Sequence, residues 1–366
     1  MKHGRNEKCW CGSGIKFKKC HLNRINMDRI SRGDLEKHHK KNNNVKYCST
    51  PESLHDECTN KMIKAHTISK SSSLKSISRD GHVMGLKPSF SSLDNNGGFL
   101  KLEKIGINYA STFSGFCSKH DSEIFSPIEN HPFKPTKENC FLISYRPVSR
   151  ELYTKKNNIS TAQLLKKMDQ GFSESMQLEL QALAQSFSFG VDMAMDDLGT
   201  LKGHMDDIFS RKHFDEMSHY IFELQSEPLI NASASIFLDY DFDGNAIQNL
   251  INPNAKAIVF NCFSSDGKGY FVFSWLNNQD ILPKKFIASL KNKPNIENRL
   301  VAFLFSYCEN TFCSPSWWES LDGNAKRDIE RRMMEGSSPW HQRSKNTLNT
   351  SICDYNAFTI ENQYSL

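Results

Sequence analysis

Cys48 and Cys58 open a stretch that closes on Phe116-Cys117-Ser118-Lys119-His120-Asp121. Three thiols and one imidazole make a complete tetrahedral zinc shell, with no position left for a substrate. One ion gripping both ends of residues 47–129 would turn the long excursion between Cys58 and Cys117 into a single folding unit. His66 ends the peptide Lys61-Met62-Ile63-Lys64-Ala65-His66 and lies between the two ligand pairs, on a segment the metal would hold still.

A denser ligand set precedes this one. Cys9-Trp10-Cys11 is followed, after eight residues, by Cys20-His21, with Gly12 and Gly14 in between. Glycine reaches positive φ without a side-chain clash, so these two suit a tight turn between the ligand pairs. So short a peptide has almost no core, and its fold should depend on the metal. The bland alternative is a chance cluster of cysteines. The chain has 11 cysteines, and six of them fall in its first third, most beside another Cys or a His. Its charged start, Met1-Lys2-His3-Gly4-Arg5, lacks the apolar stretch of a secretion signal. Metal rather than disulfides is therefore expected, and with it a cytoplasmic location. Cys140, Cys262, Cys308, Cys313 and Cys353 read as free core thiols.

The peptide from Gly4 to His21 closely resembles the SEC-C motif, the zinc-binding tail of the SecA translocation ATPase, which recurs in otherwise unrelated bacterial proteins. The resemblance implies zinc at Cys9, Cys11, Cys20 and His21. It also implies a small module that docks on a protein or a ribosome-like polyanion. It does not imply translocation, since no Gly-x-x-x-x-Gly-Lys-Ser phosphate loop follows.

Charge is divided unevenly along the 366 residues. Residues 1–80 hold 18 Lys and Arg against 8 Asp and Glu, whereas the remainder holds 28 against 33. A basic N-terminal segment suits phosphate backbones, which bind by releasing counterions, so nucleic acid is an expected partner. A solvated lysine-rich linker would look the same. Residues 23–44 are such a linker by composition, with a short helix over Met27 to Lys37. His38 and His39 there are candidate extra ligands or simply solvated. No apolar run nears the roughly 20 residues needed to cross a bilayer, so no membrane partner is expected.

In residues 45–135, Val45-Lys46-Tyr47 and Lys61 to His66 read as strands, and a helix follows Ser72 or Ser73 through Ile77. Gly81 to Met84 reads as a further strand, and Ser122 to Ile128 as a helix limited by Pro127. Strand, loop and helix around a split zinc site resemble the treble clef of HNH (ββα-metal) nucleases. That resemblance implies that His66 is the general base activating water, and that Asp121 binds a catalytic Mg²⁺ or Mn²⁺. Ser111 or Ser114 falls near that family's middle Asn. Two other readings of His66 remain beside this one: an alternative zinc ligand and a satisfied core histidine.

Residues 140–350 carry less chemistry. Met176, Leu180, Leu183 and Phe187 recur at alternating four- and three-residue steps, which predicts a packed helix. Asp192 to Met217 continues helically, broken around Gly199 and Gly203. Asp196-Asp197 and Asp206-Asp207 are candidate cation ligands or a solvated helical face. Ile236 to Asp239, Ala257 to Phe263 and Tyr270 to Trp275 predict a small antiparallel sheet, with a hairpin turn at Ser264 to Gly269. Asp239-Tyr240-Asp241-Phe242-Asp243-Gly244 opens like a calcium loop but has Leu250 where the bidentate Glu belongs, so it reads as a turn. Trp317, Trp318 and Trp340 read as core or interface residues, and the last 20 residues as loosely ordered.

The expected fold class is thus α+β. Residues 1–22 form a small zinc module, residues 45–135 a treble-clef zinc unit, and residues 140–350 a domain of helices with a small sheet. The expected function is metal-dependent cleavage of nucleic acid, with two structural zinc ions. The alternative is a non-catalytic, zinc-stabilised adaptor for nucleic acid or protein.

Overall fold

The helical periodicity and the apolar β-branched and aromatic runs settle into mixed helix and sheet. The computed structural model describes residues 3–42, 45–87, 90–337, 341–350 and 353–366; Trp340 and the His39 side chain lie outside the described residues. In chain order the elements are α1 (Arg32–Asn42), β1 (Met62–His66), β2 (His82–Leu86), α2 (Phe90–Asn95), β3 (Leu102–Gly106), β4 (Thr112–Cys117) and α3 (Ser118–Glu129). Next come α4 (Lys137–Leu165), α5 (Glu174–Arg211), β5 (Met217–Leu224), β6 (Ile230–Phe237), β7 (Ala257–Ser265) and β8 (Lys268–Leu276). The chain continues with α6 (Ile281–Lys291), α7 (Ile296–Tyr307), β9 (Thr311–Cys313), α8 (Pro315–Ser320), α9 (Gly323–Met334) and β10 (Ile360–Ser365). Two compact units result: Met1–Val45 with Thr154–Asp196, and Lys46–Tyr153 with Asp197–Leu366. None of the described helices is long and apolar enough to cross a membrane.

The larger unit is built on one sheet with the order β10-β5-β8-β7-β6-β9-β2-β3. Every neighbouring pair in it is antiparallel. Alternation along each strand divides its side chains between two faces. Phe222, Phe260, Phe271 and Phe273 point to one face and pack with Phe286 of α6 and Phe303 of α7. Ile221 and Val272 point to the other, against Cys140 and Ile143 of α4. Val259 on that second face joins Phe141 and Tyr145 of α4 and Leu201, Met205 and Ile208 of α5.

β1 and β4 pair only with each other, Met62 opposite Cys117 and His66 opposite Thr112. α3 follows β4 without a loop. Phe113 and Phe116 of β4 and Ile124 and Phe125 of α3 enter the same cluster as Phe141 and Tyr145, which seats this ββα element on α4 and α5. A buried polar knot adds to that contact. The Lys202 ammonium donates to the Ser49 carbonyl at 2.7 Å, the Tyr145 hydroxyl at 2.9 Å and Asp206 at 2.5 Å. Ser49 directly follows Cys48, so α5 reaches the loop that carries this candidate ligand through hydrogen bonds as well as apolar contact.

Several expectations are revised. The sheet is larger than the three strands legible locally, because β5 adds to it and β2, β3, β9 and β10 join it from distant parts of the chain. The C-terminal segment is ordered as β10, with Tyr364 donating to Glu223 at 2.7 Å on β5. α5 runs unbroken through Gly199 and Gly203. A glycine costs a helix about 1 kcal/mol, and the burial of Leu198, Leu201, Met205 and Ile208 on one face outweighs it. Val45 to Tyr47 forms no strand; Tyr47 instead packs against Tyr153, their ring centroids 5.7 Å apart. Asp206 and Asp207 pair with Lys202 and Arg211. Asp241 accepts from the backbone of Asp243 and Asn245, the turn expected there.

Replacing Lys202 with Met removes the donor while keeping the stem; the Ser49 carbonyl loses its ammonium partner and Asp206 keeps only the Tyr145 hydroxyl within the knot. Urea unfolding should show a loss of about 2 kcal/mol, given the partial exposure of Asp206. An unchanged midpoint would mean the knot contributes nothing.

Candidate metal centres

The first ligand set sits in the smaller unit, where φ of +74° at Gly12 and +71° at Gly14 turns the chain between Cys11 and Cys20. Lys8 and Lys16 bridge across the base of this loop, and the Cys9 amide donates to the Ile15 carbonyl at 2.8 Å. The sulfurs of Cys9 and Cys20 each lie 3.1 Å from Nδ1 of His21, and those of Cys11 and Cys20 are 3.6 Å apart. All four ligand atoms fall within 4.8 Å of one another. A tetrahedral zinc shell has sulfur–sulfur edges of about 3.8 Å and sulfur–nitrogen edges of about 3.5 Å. The donor set fits zinc in number, type and spacing.

The neighbour that orients His21 comes from far along the chain. Nε2–H of His21 donates to the Asp169 carboxylate at 2.8 Å. A carboxylate only accepts, so the proton sits on Nε2 and the Nδ1 lone pair faces the sulfurs. Arg24 and Gln181 also donate to Asp169, at 2.5 and 2.9 Å. Burial pushes the Asp169 carboxyl up, but the hydrogen bonds from His21, Arg24 and Gln181 outweigh it and hold the group below its ordinary value. Gln185 donates to the Cys11 carbonyl at 2.9 Å, and the Gly171 amide to the Arg24 carbonyl at 3.0 Å. Among the described residues, the four buried apolar clusters all belong to the larger unit. The smaller unit buries Ala162, Leu164, Ala184 and Val191, and the polar contacts around its ligand set act beside them.

The second set, Cys48, Cys58, Cys117 and His120, is brought together as the spacing predicted, with ligand atoms within 4.8 Å of one another. The Cys48 and Cys117 sulfurs are each 3.4 Å from Nδ1 of His120. Cys117 ends β4 and caps α3, accepting from the His120 amide, and its own amide donates to the Cys48 sulfur at 3.3 Å. Burial pushes the Cys48 thiol up to about 11 and the Cys9 thiol up to about 12. It acts on Cys11 and Cys117 too, but hydrogen bonds there win, from Ser13 for Cys11 and from His120 and Thr59 for Cys117. Cys11 falls to about 7 and Cys117 to about 6, so one thiol in each set is readily a thiolate, the form that binds metal. This donor set also fits zinc. Unlike His21, His120 has no hydrogen-bond partner at its buried Nε2 among the described residues.

His66 and Asp121 stand outside both ligand sets. His66 ends β1, and its Nε2–H donates to the Ile107 carbonyl at 3.0 Å, which leaves Nδ1 as the acceptor. Burial is the main force lowering its pKa, so the ring is neutral at pH 7. The backbone beyond it is fixed by Ser111, at φ +58°. The Ser111 carbonyl accepts from the Thr67 amide at 2.8 Å, and its Oγ from the Ile68 amide at 3.1 Å. Ser114 lies within β4. Asp121 is on the first turn of α3, where the buried Arg146 guanidinium binds it at 3.2 Å and Glu129 at 2.5 Å while lying over the Phe125 ring. Burial pushes the Asp121 carboxyl up, Arg146 opposes this, and Glu129 adds to it. Arg146 and Glu129 also act on His66.

Sequence reasoning missed Asp169, Lys202 and Arg146. Each belongs to a polar cluster assembled from distant segments, so no local spacing marks it. A family model for the SEC-C motif matches residues 5–23. No curated protein and no solved structure matches the chain.

Elemental analysis of the purified protein should give about two zinc ions per chain, one for each closed ligand set; a single equivalent would remove one centre. Asp169→Asn should keep both ions but weaken the first centre by about 10- to 100-fold in chelator competition. Zinc release at the wild-type chelator concentration would mean that the carboxylate does not support His21.

Proposed function

We propose that this is a zinc-stabilised nucleic-acid-binding protein whose smaller unit supplies the contact surface. The observation that carries this reading is the set of cations on the first metal module. Arg5, Lys8, Lys16, Lys18 and Lys19 are all exposed on it, and no ion pair is found for any of them among the described residues. Zinc would hold this peptide in one shape, so the cations would meet a phosphate backbone without paying the entropy of ordering the loop. The SEC-C match over residues 5–23 is consistent with a docking module.

A second reading is metal-dependent cleavage by an HNH-like treble clef. It is favoured by the neutral His66 ring, whose Nε2–H is fixed on Ile107 so that Nδ1 can accept a proton. Asp121 follows the last ligand of the second set, where the HNH resemblance asks for an ion ligand. A bound Mg²⁺ or Mn²⁺ would stabilise charge on the phosphate. Against cleavage, Arg146 already neutralises Asp121.

Affinity of the full chain for RNA and DNA oligonucleotides should fall with salt by about 0.7 to 0.9 log units per log unit for each phosphate neutralised. Lys16, Lys18 and Lys19 changed together to Glu should flatten that slope and weaken binding at least tenfold, roughly what the loss of several phosphate contacts implies. Equal binding by this variant would overturn the contact assignment. Cutting of either nucleic acid with Mg²⁺ or Mn²⁺ that His66→Ala abolishes, with zinc content intact, would instead establish the second reading.

A further inference from the structure

In the larger unit, the turn between β3 and β4 presents an aromatic ring to solvent. Tyr109 is 68% exposed, more than any other described Phe, Tyr or Trp. An exposed ring on a loose loop is ordinary, but this one rides on pinned backbone. The Tyr109 and Ala110 amides donate to the Gly106 carbonyl at 2.9 and 3.1 Å, and the Ile107 amide donates to the Gly81 carbonyl at 3.0 Å. The Thr112 hydroxyl donates to the Tyr109 carbonyl at 2.9 Å.

Three consecutive residues of this turn each meet a basic side chain from β1 or the segment after it. Nε2–H of His66 donates to the Ile107 carbonyl. The Lys70 ammonium donates to Asn108 Oδ1 at 3.0 Å. The Lys64 ammonium lies 5.2 Å from the centroid of the Tyr109 ring, within cation–π range. Neither lysine has an ion-pair partner among the described residues. An ammonium carries three donors, so Lys70 can hold Asn108 and an anion together.

The side chains set against the turn are a histidine, two lysines and a threonine, not the apolar surround that the core of a protein interface would need. A fixed aromatic ring between two cations instead matches an anionic chain that carries aromatic units. In a duplex the faces of the bases are taken by their neighbours, so the ring suits an unpaired base. We propose that Tyr109 is a stacking platform for a base of single-stranded nucleic acid, with Lys64 and Lys70 on the adjoining phosphates. This rests on the reading of the chain as a nucleic-acid binder. It adds a contact surface on the larger unit and names the strandedness of the ligand.

The test is binding of the full-length, zinc-loaded protein to two fluorescent single strands, an oligothymidine and its abasic counterpart with the same number of phosphates. The base-bearing strand should bind more tightly. Tyr109→Ala should weaken that strand by about five- to hundredfold, the loss of one stacked base, and leave the abasic strand and the zinc content unchanged. Tyr109→Trp should keep the preference. Lys64→Ala and Lys70→Ala should each lower the salt slope by about 0.7. Equal affinity for the two strands, or a preference that Tyr109→Ala retains, overturns the proposal and leaves the phosphate contact of the smaller unit in place. If the Lys16, Lys18 and Lys19 glutamate variant binds as the wild type does while Tyr109→Ala loses the preference, this surface stands and the other falls. Binding to neither strand removes both.

Discussion

Three sulfurs and an imidazole, drawn from residues 48, 58, 117 and 120, converge within 4.8 Å at the point where β4 becomes α3. A two-stranded hairpin is marginal in water by itself, and among the described residues β1–β4 pairs with nothing else. The ligand cluster closes one end of this element, and the Phe113, Phe116 and Phe125 side chains anchor it on α4 and α5. The long excursion between β1 and β4 can then leave the hairpin, supply β2 and β3 to the main sheet, and return. A metal held by these four ligands would cross-link the two ends of that excursion whatever its length.

The two centres are supported in different ways. His21 is backed by a buried carboxylate that takes its second ring proton, while Arg24 and Gln181 hold that carboxylate in place. His120 is buried, with no hydrogen-bond partner for Nε2 among the described residues. The smaller unit contributes to none of the four buried apolar clusters, and its ligand set is surrounded by polar support. Loss of metal should accordingly be felt by the whole of the smaller unit, and in the larger one first around the hairpin.

Arg146 links the second centre to the sheet. It binds Asp121 and Glu129 of α3, covers the Phe125 ring and reaches a small cavity that Asn261 also lines. His66 lies within its field. One buried cation therefore sets the electrostatics of the region where the HNH resemblance would seat a catalytic ion. An ion there would have to displace the arginine from Asp121.

Both ligand sets were legible in the sequence because thiols and imidazoles at these spacings have few other uses, and Gly12 and Gly14 marked the turn between two of them. The hairpin β7–β8 and its turn were legible for a similar reason: the signal is contained within a few residues. The sequence was silent on the rest. Nothing near Asp169 announces His21, and nothing near Tyr364 announces Glu223. The stripe from Met176 to Phe187 looked like core, yet Met176 and Phe187 remain exposed while Gln177 and Gln181 are buried, Gln177 on the Phe172 carbonyl and Gln181 on the Asp169 carboxylate that supports His21. Metal chemistry is written in side-chain type and local spacing. Strand partners and the acceptors of buried donors are decided by which distant segments meet, and only the folded chain holds that information.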